Sequence, residues 1–233
     1  MFVHRLASLA RKILPAPLFK PIRGISTALL TPLAFSYHSG HLLSSIKTKA
    51  VDKSGKPLPW YTYPAIEFLT SKNFRDRSVL EFGAGQSTLW WAERSNRVIA
   101  FEDDVEWYNA VTERSPANVS VVLTDRAASA VESHCLDELF DVIVIDGLNR
   151  LTCATKSVAL HKKGGAIILD NSEGYWGLDG EFPILDLFRA EGFSRIDFYG
   201  YAPGVILPAC TSLFFKGDCF LLCGSENTVK TVR

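Results

Sequence analysis

The chain lacks paired cysteines, a long apolar run, an excess of either charge and, before Asp52, any acidic residue at all. Each absence excludes something. The five cysteines, Cys135, Cys153, Cys210, Cys219 and Cys223, form no C-x-x-C pair and have no histidine at zinc-finger spacing. Neither a structural zinc nor a disulfide scaffold is therefore expected. Unpaired thiols suit a reducing compartment, and the cytoplasm is the expected location. Cys219 and Cys223 flank Phe220, Leu221 and Leu222, a spacing that points to burial in a strand. No apolar stretch reaches the roughly 20 residues that a transmembrane helix needs. The best, residues 24–35, is interrupted by Pro32. A formal charge of zero argues against a general nucleic-acid binder.

What is present fits a globular α/β protein. With 233 residues, 47% hydrophobic and 21% charged, the chain holds enough apolar side chain for one domain and an appendage. Residues 1–56 read as a basic arm and linker, and residues 57–233 as the domain. The arm carries Arg5, Arg11, Lys12, Lys20, Arg23, Lys47 and Lys49. Within it Phe2, Leu6, Leu9 and Ile13 recur at helical spacing, giving one apolar face. Three readings stay open for it: a helix lying on an anionic membrane surface, a helix packed on the domain or a twin subunit, and a mitochondrial-type transit peptide.

From Val79 onward, short apolar runs alternate with helical patterns, as βαβ units do. Strands are expected at Val79–Phe82, Arg97–Phe101, Val119–Leu123, Phe140–Ile145 and Ala166–Leu169, with helices between them. Continuous apolar runs in the last two mark strands buried on both faces. After a helix near Phe182–Glu191, the runs Phe193–Tyr199 and Thr211–Phe215 have no clear helix between them, so they can pair antiparallel at the sheet edge.

The segment Val79 to Thr88 runs from strand through a glycine turn into a helix. Gly83 and Gly85 let the backbone bend sharply and approach a ligand. Ser87 or Thr88 can cap the helix that follows. The second strand then ends in Glu102, Asp103 and Asp104, about 20 residues on, where a carboxylate can accept both hydroxyls of a ribose. Dinucleotides and S-adenosylmethionine share this geometry. The dinucleotide fingerprint calls for a third glycine or an alanine, and Thr88 stands there instead. Glu81, just before the turn, would repel a pyrophosphate and attract a sulfonium and an ammonium.

Glu81-Phe82-Gly83-Ala84-Gly85 resembles the first motif, E/D-x-G-x-G, of class I S-adenosylmethionine-dependent methyltransferases. Glu102 matches their ribose-binding acid, and Leu160-His161-Lys162-Lys163-Gly164-Gly165 looks like their turn before the fifth strand. The resemblance spans roughly Trp60 to Leu222. It implies a Rossmann-like, mostly parallel seven-stranded sheet with helices on both faces and an antiparallel C-terminal edge strand. It also implies that Glu81 and the turn Gly83, Ala84 and Gly85 hold the methionine end, that Ser87 belongs to the same cofactor site, that Glu102 holds the ribose, and that Asp125 sits near the adenine.

Ligands of open α/β sheets bind beyond the carboxyl ends of the strands, where Asp146, Asp170 and Asn171 lie. Two uses are expected. Asp146 or Asp170 is a candidate catalytic base. Together with Asn171 they are also hard oxygen ligands for magnesium, in an arrangement that resembles the catechol and caffeoyl-coenzyme A O-methyltransferases. Arg150 is a candidate anchor for an anionic acceptor, and Tyr175 and Trp176, among glycines, for a loop closing over substrate. His161 is assigned a surface role. The acceptor expected is an oxygen of a small molecule or glycan. No Asp/Asn-Pro-Pro-Tyr/Phe motif for methylating bases follows the fourth strand. A nicotinamide-dependent oxidoreductase and a non-catalytic protein of the same fold are the alternatives.

Overall fold

In the computed structural model, residues 15–125, 127–134, 138–147, 149–173 and 181–222 are described. Tyr175 and Trp176, and the arm residues before 15, lie outside them. Two helices, α1 (Ala16–His38) and α2 (His41–Lys47), precede the domain. The alternating part runs α3 (Tyr63–Thr70), β1 (Ser78–Phe82), α4 (Gln86–Ala92), β2 (Arg97–Glu102), α5 (Val105–Thr112), β3 (Val119–Leu123), α6 (Ala127–His134), β4 (Phe140–Ile145), α7 (Arg150–Leu160) and β5 (His161–Leu169). It ends with α8 (Glu181–Ala190), β6 (Ser194–Tyr201) and β7 (Pro208–Phe215).

The seven strands form one sheet in the order β3-β2-β1-β4-β5-β7-β6. Neighbours from β3 to β5 pair parallel, while β7 pairs antiparallel with both β5 and β6. The terminal hairpin thus forms one edge, its second strand inserted beside β5 and its first outermost. Their burial tells the same story: every β7 residue after Pro208 is buried, whereas β6 alternates as an edge strand should.

Side-chain alternation divides the core in two. Val142 and Val144 face a cluster with Tyr61, Phe74, Trp90 and Trp91. Ile143 and Ile145 face the other, with Phe82, Phe101 and Phe188. On β1 the same alternation sends Leu80 and Phe82 to the second cluster, so Glu81 points to the side of Trp90 and Trp91.

Three sequence expectations are corrected here. The stretch before Ala166 is strand, not turn: pairing jumps from Phe140–His161 to Val142–Ala166, and the extra residues bulge out. Gly165 is glycine because a Cβ would stand 2.5 Å from the Asp141 carbonyl oxygen. His161 is consequently half-buried, edge-on to Phe193, with its pKa lowered by desolvation, rather than a surface residue. Cys219 is buried, but in the turn after β7 rather than in a strand; Cys223 lies outside the described residues.

Candidate active site

Strand order reverses at β1, which has β2 on one side and β4 on the other. Loops leaving β1 and β4 therefore depart to opposite faces, and a crevice opens between them. A cleft of about 360 Å³ lies there. That is large enough for a nucleoside-sized ligand.

Its floor is two glycine turns pressed together. Gly83 has φ +103°, and a Cβ on it would stand 2.9 Å from the Gly147 nitrogen. The reverse clash, from a Cβ on Gly147 to the Gly83 nitrogen, would be at 3.1 Å. Only glycines permit this approach of backbones. Past the turn, the Gly85 N–H donates to Thr88 Oγ1 at 3.0 Å, which fixes the first turn of α4. Thr88 is thus the hydroxyl that caps, and Ser87 lines the cleft instead.

One wall is acidic. Glu102 Oε2 accepts the Ala84 N–H at 2.7 Å, and Oε1 accepts the Asp103 and Asp104 N–H groups at 3.0 and 2.9 Å. The side chain is pinned between the glycine turn and the start of α5. Asp103 and Asp104 line the same wall. Asp104 also caps α5, accepting the Trp107 N–H at 2.8 Å. Asp146 completes the acidic lining; burial and the nearby Glu102 charge push its pKa up to about 6, although Arg150 opposes the rise.

Of the residues expected at the site, Gly83, Ala84, Gly85, Ser87, Glu102, Asp146 and Arg150 meet around the cleft. Four others do not. Glu81 is fully buried beneath the glycine turn and does not line it. Burial raises its pKa to about 8, and the neighbouring Thr88 and Ser87 hydroxyls only partly oppose the rise. Neither of its oxygens has a hydrogen-bond partner of normal geometry. Burial therefore favours the neutral form of Glu81, which weakens the attraction assigned to its charge. Asp125 is exposed past the end of β3, away from the lining. Asp170 is buried, accepts a hydrogen bond from Thr211 Oγ1 at 2.7 Å, and is also absent from the lining. Asn171, next in the chain at φ +52°, does not line the cleft either.

These positions do not fit the expected magnesium. The Arg150 guanidinium already stands between the two aspartates: it donates to Asp146 Oδ1 at 3.4 Å, to the Asp170 carbonyl at 2.6 Å and to the Gly147 carbonyl at 3.1 Å. A divalent cation there would have to displace an existing positive charge. Those same bonds tie the arginine down, so it braces the β4 and β5 loops rather than reaching out as a free anchor.

Sequence reasoning missed Trp107 and Gln86, both in the lining. Trp107 stands edge-on to Trp60, ring centroids 6.2 Å apart, and the Trp60 indole donates to the Pro203 carbonyl at 3.0 Å. An exposed tryptophan three residues after a capping aspartate was the available signal.

No protein-family model and no curated protein sequence matches the chain. Several solved structures share its fold. A candidate O-methyltransferase from Klebsiella pneumoniae superposes with a TM-score of 0.57 at 16% identity, over 84% of this chain and 95% of that one. A precorrin-6y C5,15-methyltransferase from Geobacter metallireducens GS-15 gives 0.52 at 14% identity, over 66% and 87%. An rRNA methylase from Streptococcus thermophilus gives 0.51 at 15%, over 66% and 96%. The likeness is one of fold, the Rossmann-like architecture found in all three.

Proposed function

We propose, from a fold shared with solved methyltransferases, that this chain transfers a methyl group from S-adenosylmethionine to an oxygen of a small molecule or glycan. The observation that carries the reading is the sign of the cleft. Glu102, Asp103, Asp104 and Asp146 line it, and the arginine facing them is held by backbone carbonyls and Asp146. Such a wall repels a pyrophosphate and favours a ligand with a sulfonium and an ammonium. Glu102, pre-aligned by three N–H donors, would accept from ribose hydroxyls. The Gly83–Gly85 turn would take the methionine end, and the faces of Trp107 and Trp60 offer apolar surface for a flat ring.

S-adenosylmethionine, when bound, supplies an electrophilic methyl carbon whose bond to sulfur breaks as the acceptor oxygen attacks. The chain's part is to exclude water, orient the acceptor and remove its proton. Asp146 is the carboxylate for that last task. With a pKa of about 6 it is ionised at neutral pH yet more basic than an ordinary aspartate. Isothermal titration with S-adenosylhomocysteine and with NAD tests the assignment. Binding of the former and not the latter is expected; NAD binding alone would overturn it and favour an oxidoreductase.

The Asp146 titration gives a second expected result that needs no acceptor. As pH rises from 5 to 7.5 the cleft gains a negative charge at about pH 6. Affinity for the cationic S-adenosylmethionine should then rise about fivefold relative to the uncharged sulfur of S-adenosylhomocysteine. In Asp146→Asn the ratio should stay flat. A flat ratio in wild type would remove Asp146 from the cofactor's surroundings.

A further inference from the structure

Helix α1 leaves the domain almost bare. Among its described side chains every residue but Phe19 and Ser36 is exposed. Leu18, Ile22, Ile25, Leu29 and Leu33 recur at three- and four-residue steps and form one stripe, with Leu29 66% and Leu33 67% exposed. Lys20, Thr27, Thr31 and His38 lie on the opposite side. Phe35, off the stripe, packs edge-on against Tyr63 at 5.2 Å and roots the helix on the domain. A bare apolar stripe of this length is rare on a soluble surface and marks something that covers it.

The apolar surface does not end with α1. Leu42 and Ile46 are exposed on α2, and the loop between β6 and β7 adds Val205, Ile206 and Leu207, with Ile206 86% exposed. This loop lies against α2. The Gly204 N–H donates to His41 Nδ1 at 3.3 Å, and a Cβ on Gly204 would stand 3.0 Å from the backbone of Ser44 and Ser45. Three separate segments therefore present apolar side chains beside one another.

Charge selects among the possible covers. The segment before Asp52 has seven lysines and arginines and no acid, while the whole chain sums to zero. All the remaining charge, from Asp52 on, is thus net negative by the same amount. Two arms laid side by side would repel each other, and so would the body of the domain and an acidic surface. An anionic bilayer attracts the arm and repels the rest, which sets an orientation as well as an affinity. Crossing the bilayer is not indicated: no helix among the described residues is long and apolar enough.

We infer that α1, with α2 and the β6–β7 loop, is a docking surface for an anionic lipid bilayer, the helix lying in the plane of the interface with its leucine stripe inserted. The loop that contributes Ile206 also holds Trp60 of the cleft through the Pro203 carbonyl, so the docked face adjoins the proposed active site.

Co-sedimentation of the full chain with vesicles decides it, using equal parts phosphatidylglycerol and phosphatidylcholine against phosphatidylcholine alone. The chain should bind the anionic vesicles about tenfold more tightly than the neutral ones. Leu29→Asp with Leu33→Asp should lower that binding at least about tenfold, and Lys20→Gln with Arg23→Gln about fivefold. All four positions are exposed or on the bare helix, so thermal midpoint and S-adenosylhomocysteine titration should match wild type; that second readout is independent of vesicle binding. Equal binding to both vesicles, no binding to either, or variants that pellet like wild type would overturn the inference. So would a dimer in vesicle-free buffer that dissociates in the leucine variants, since the stripe would then be covered by a second copy.

Discussion

Glu102→Ala is expected to weaken S-adenosylhomocysteine binding about 10- to 100-fold, because a charge-assisted hydrogen bond to a ligand hydroxyl contributes roughly 1.5–3 kcal/mol. The carboxylate has two tasks. It accepts the Ala84, Asp103 and Asp104 N–H groups, and so locks the glycine turn to the start of α5. Its remaining lone pair on Oε2 is what a ribose hydroxyl would meet. Removing it leaves three backbone donors without an acceptor and loosens the floor that Gly83 and Gly147 create. Glu102→Gln separates the two tasks. One amide oxygen can still take the Ala84 N–H, but the NH2 then faces the Asp103 and Asp104 donors, so affinity should fall by about tenfold or more. Titration calorimetry with S-adenosylhomocysteine measures both. A change of less than threefold in Glu102→Ala would mean that the ligand does not use this wall.

Legibility in the sequence followed locality. The β1–α4 turn and the acid ending β2 are each contiguous, so their residue types alone announced them. β4 was equally plain, because a run of six residues buried on both faces has to be apolar apart from Asp141 at its outer end. The start of β5 was hidden by Gly164 and Gly165, which look like a turn until the Asp141 carbonyl beside them is seen. Pairing across long separations left no trace either. Trp60 and Trp107 meet only because α5 follows β2 past the cleft rim, and Asp170 withdraws from it because Thr211 on the inserted β7 offers a hydroxyl. The magnesium reading failed for a related reason. Asp146 and Arg150 stand four residues apart, a spacing visible from the start, yet the arginine's hold on the Asp170 carbonyl depends on β5 lying next to β4.

Glu81 is the residue whose meaning changed most, and it carries the largest expected effect on stability. A motif shows that a carboxyl is present, but not that it faces Trp90 and Trp91 on the core side of β1. Buried there, with only the Thr88 and Ser87 hydroxyls nearby to oppose desolvation, it has a pKa raised from 4.5 to about 8. Below pH 4.5 both folded and unfolded chains hold the proton, and Glu81 contributes no pH dependence. Between 4.5 and 8 the unfolded chain releases its proton while the folded one keeps it, so stability falls as pH rises; above 8 both are ionised and the slope vanishes. At about 1.4 kcal/mol per unit, the full fall is about 5 kcal/mol. Glu81→Gln keeps the shape and cannot ionise. Urea denaturation should therefore show the variant gaining on wild type across that window, until at pH 8 it is several kcal/mol the more stable. The same substitution should leave the preference for S-adenosylmethionine over S-adenosylhomocysteine unchanged at pH 7, since a neutral carboxyl has no charge to offer a sulfonium. Parallel stability curves for the two proteins would place an ionised Glu81 in the native core and restore its charge to the cofactor site.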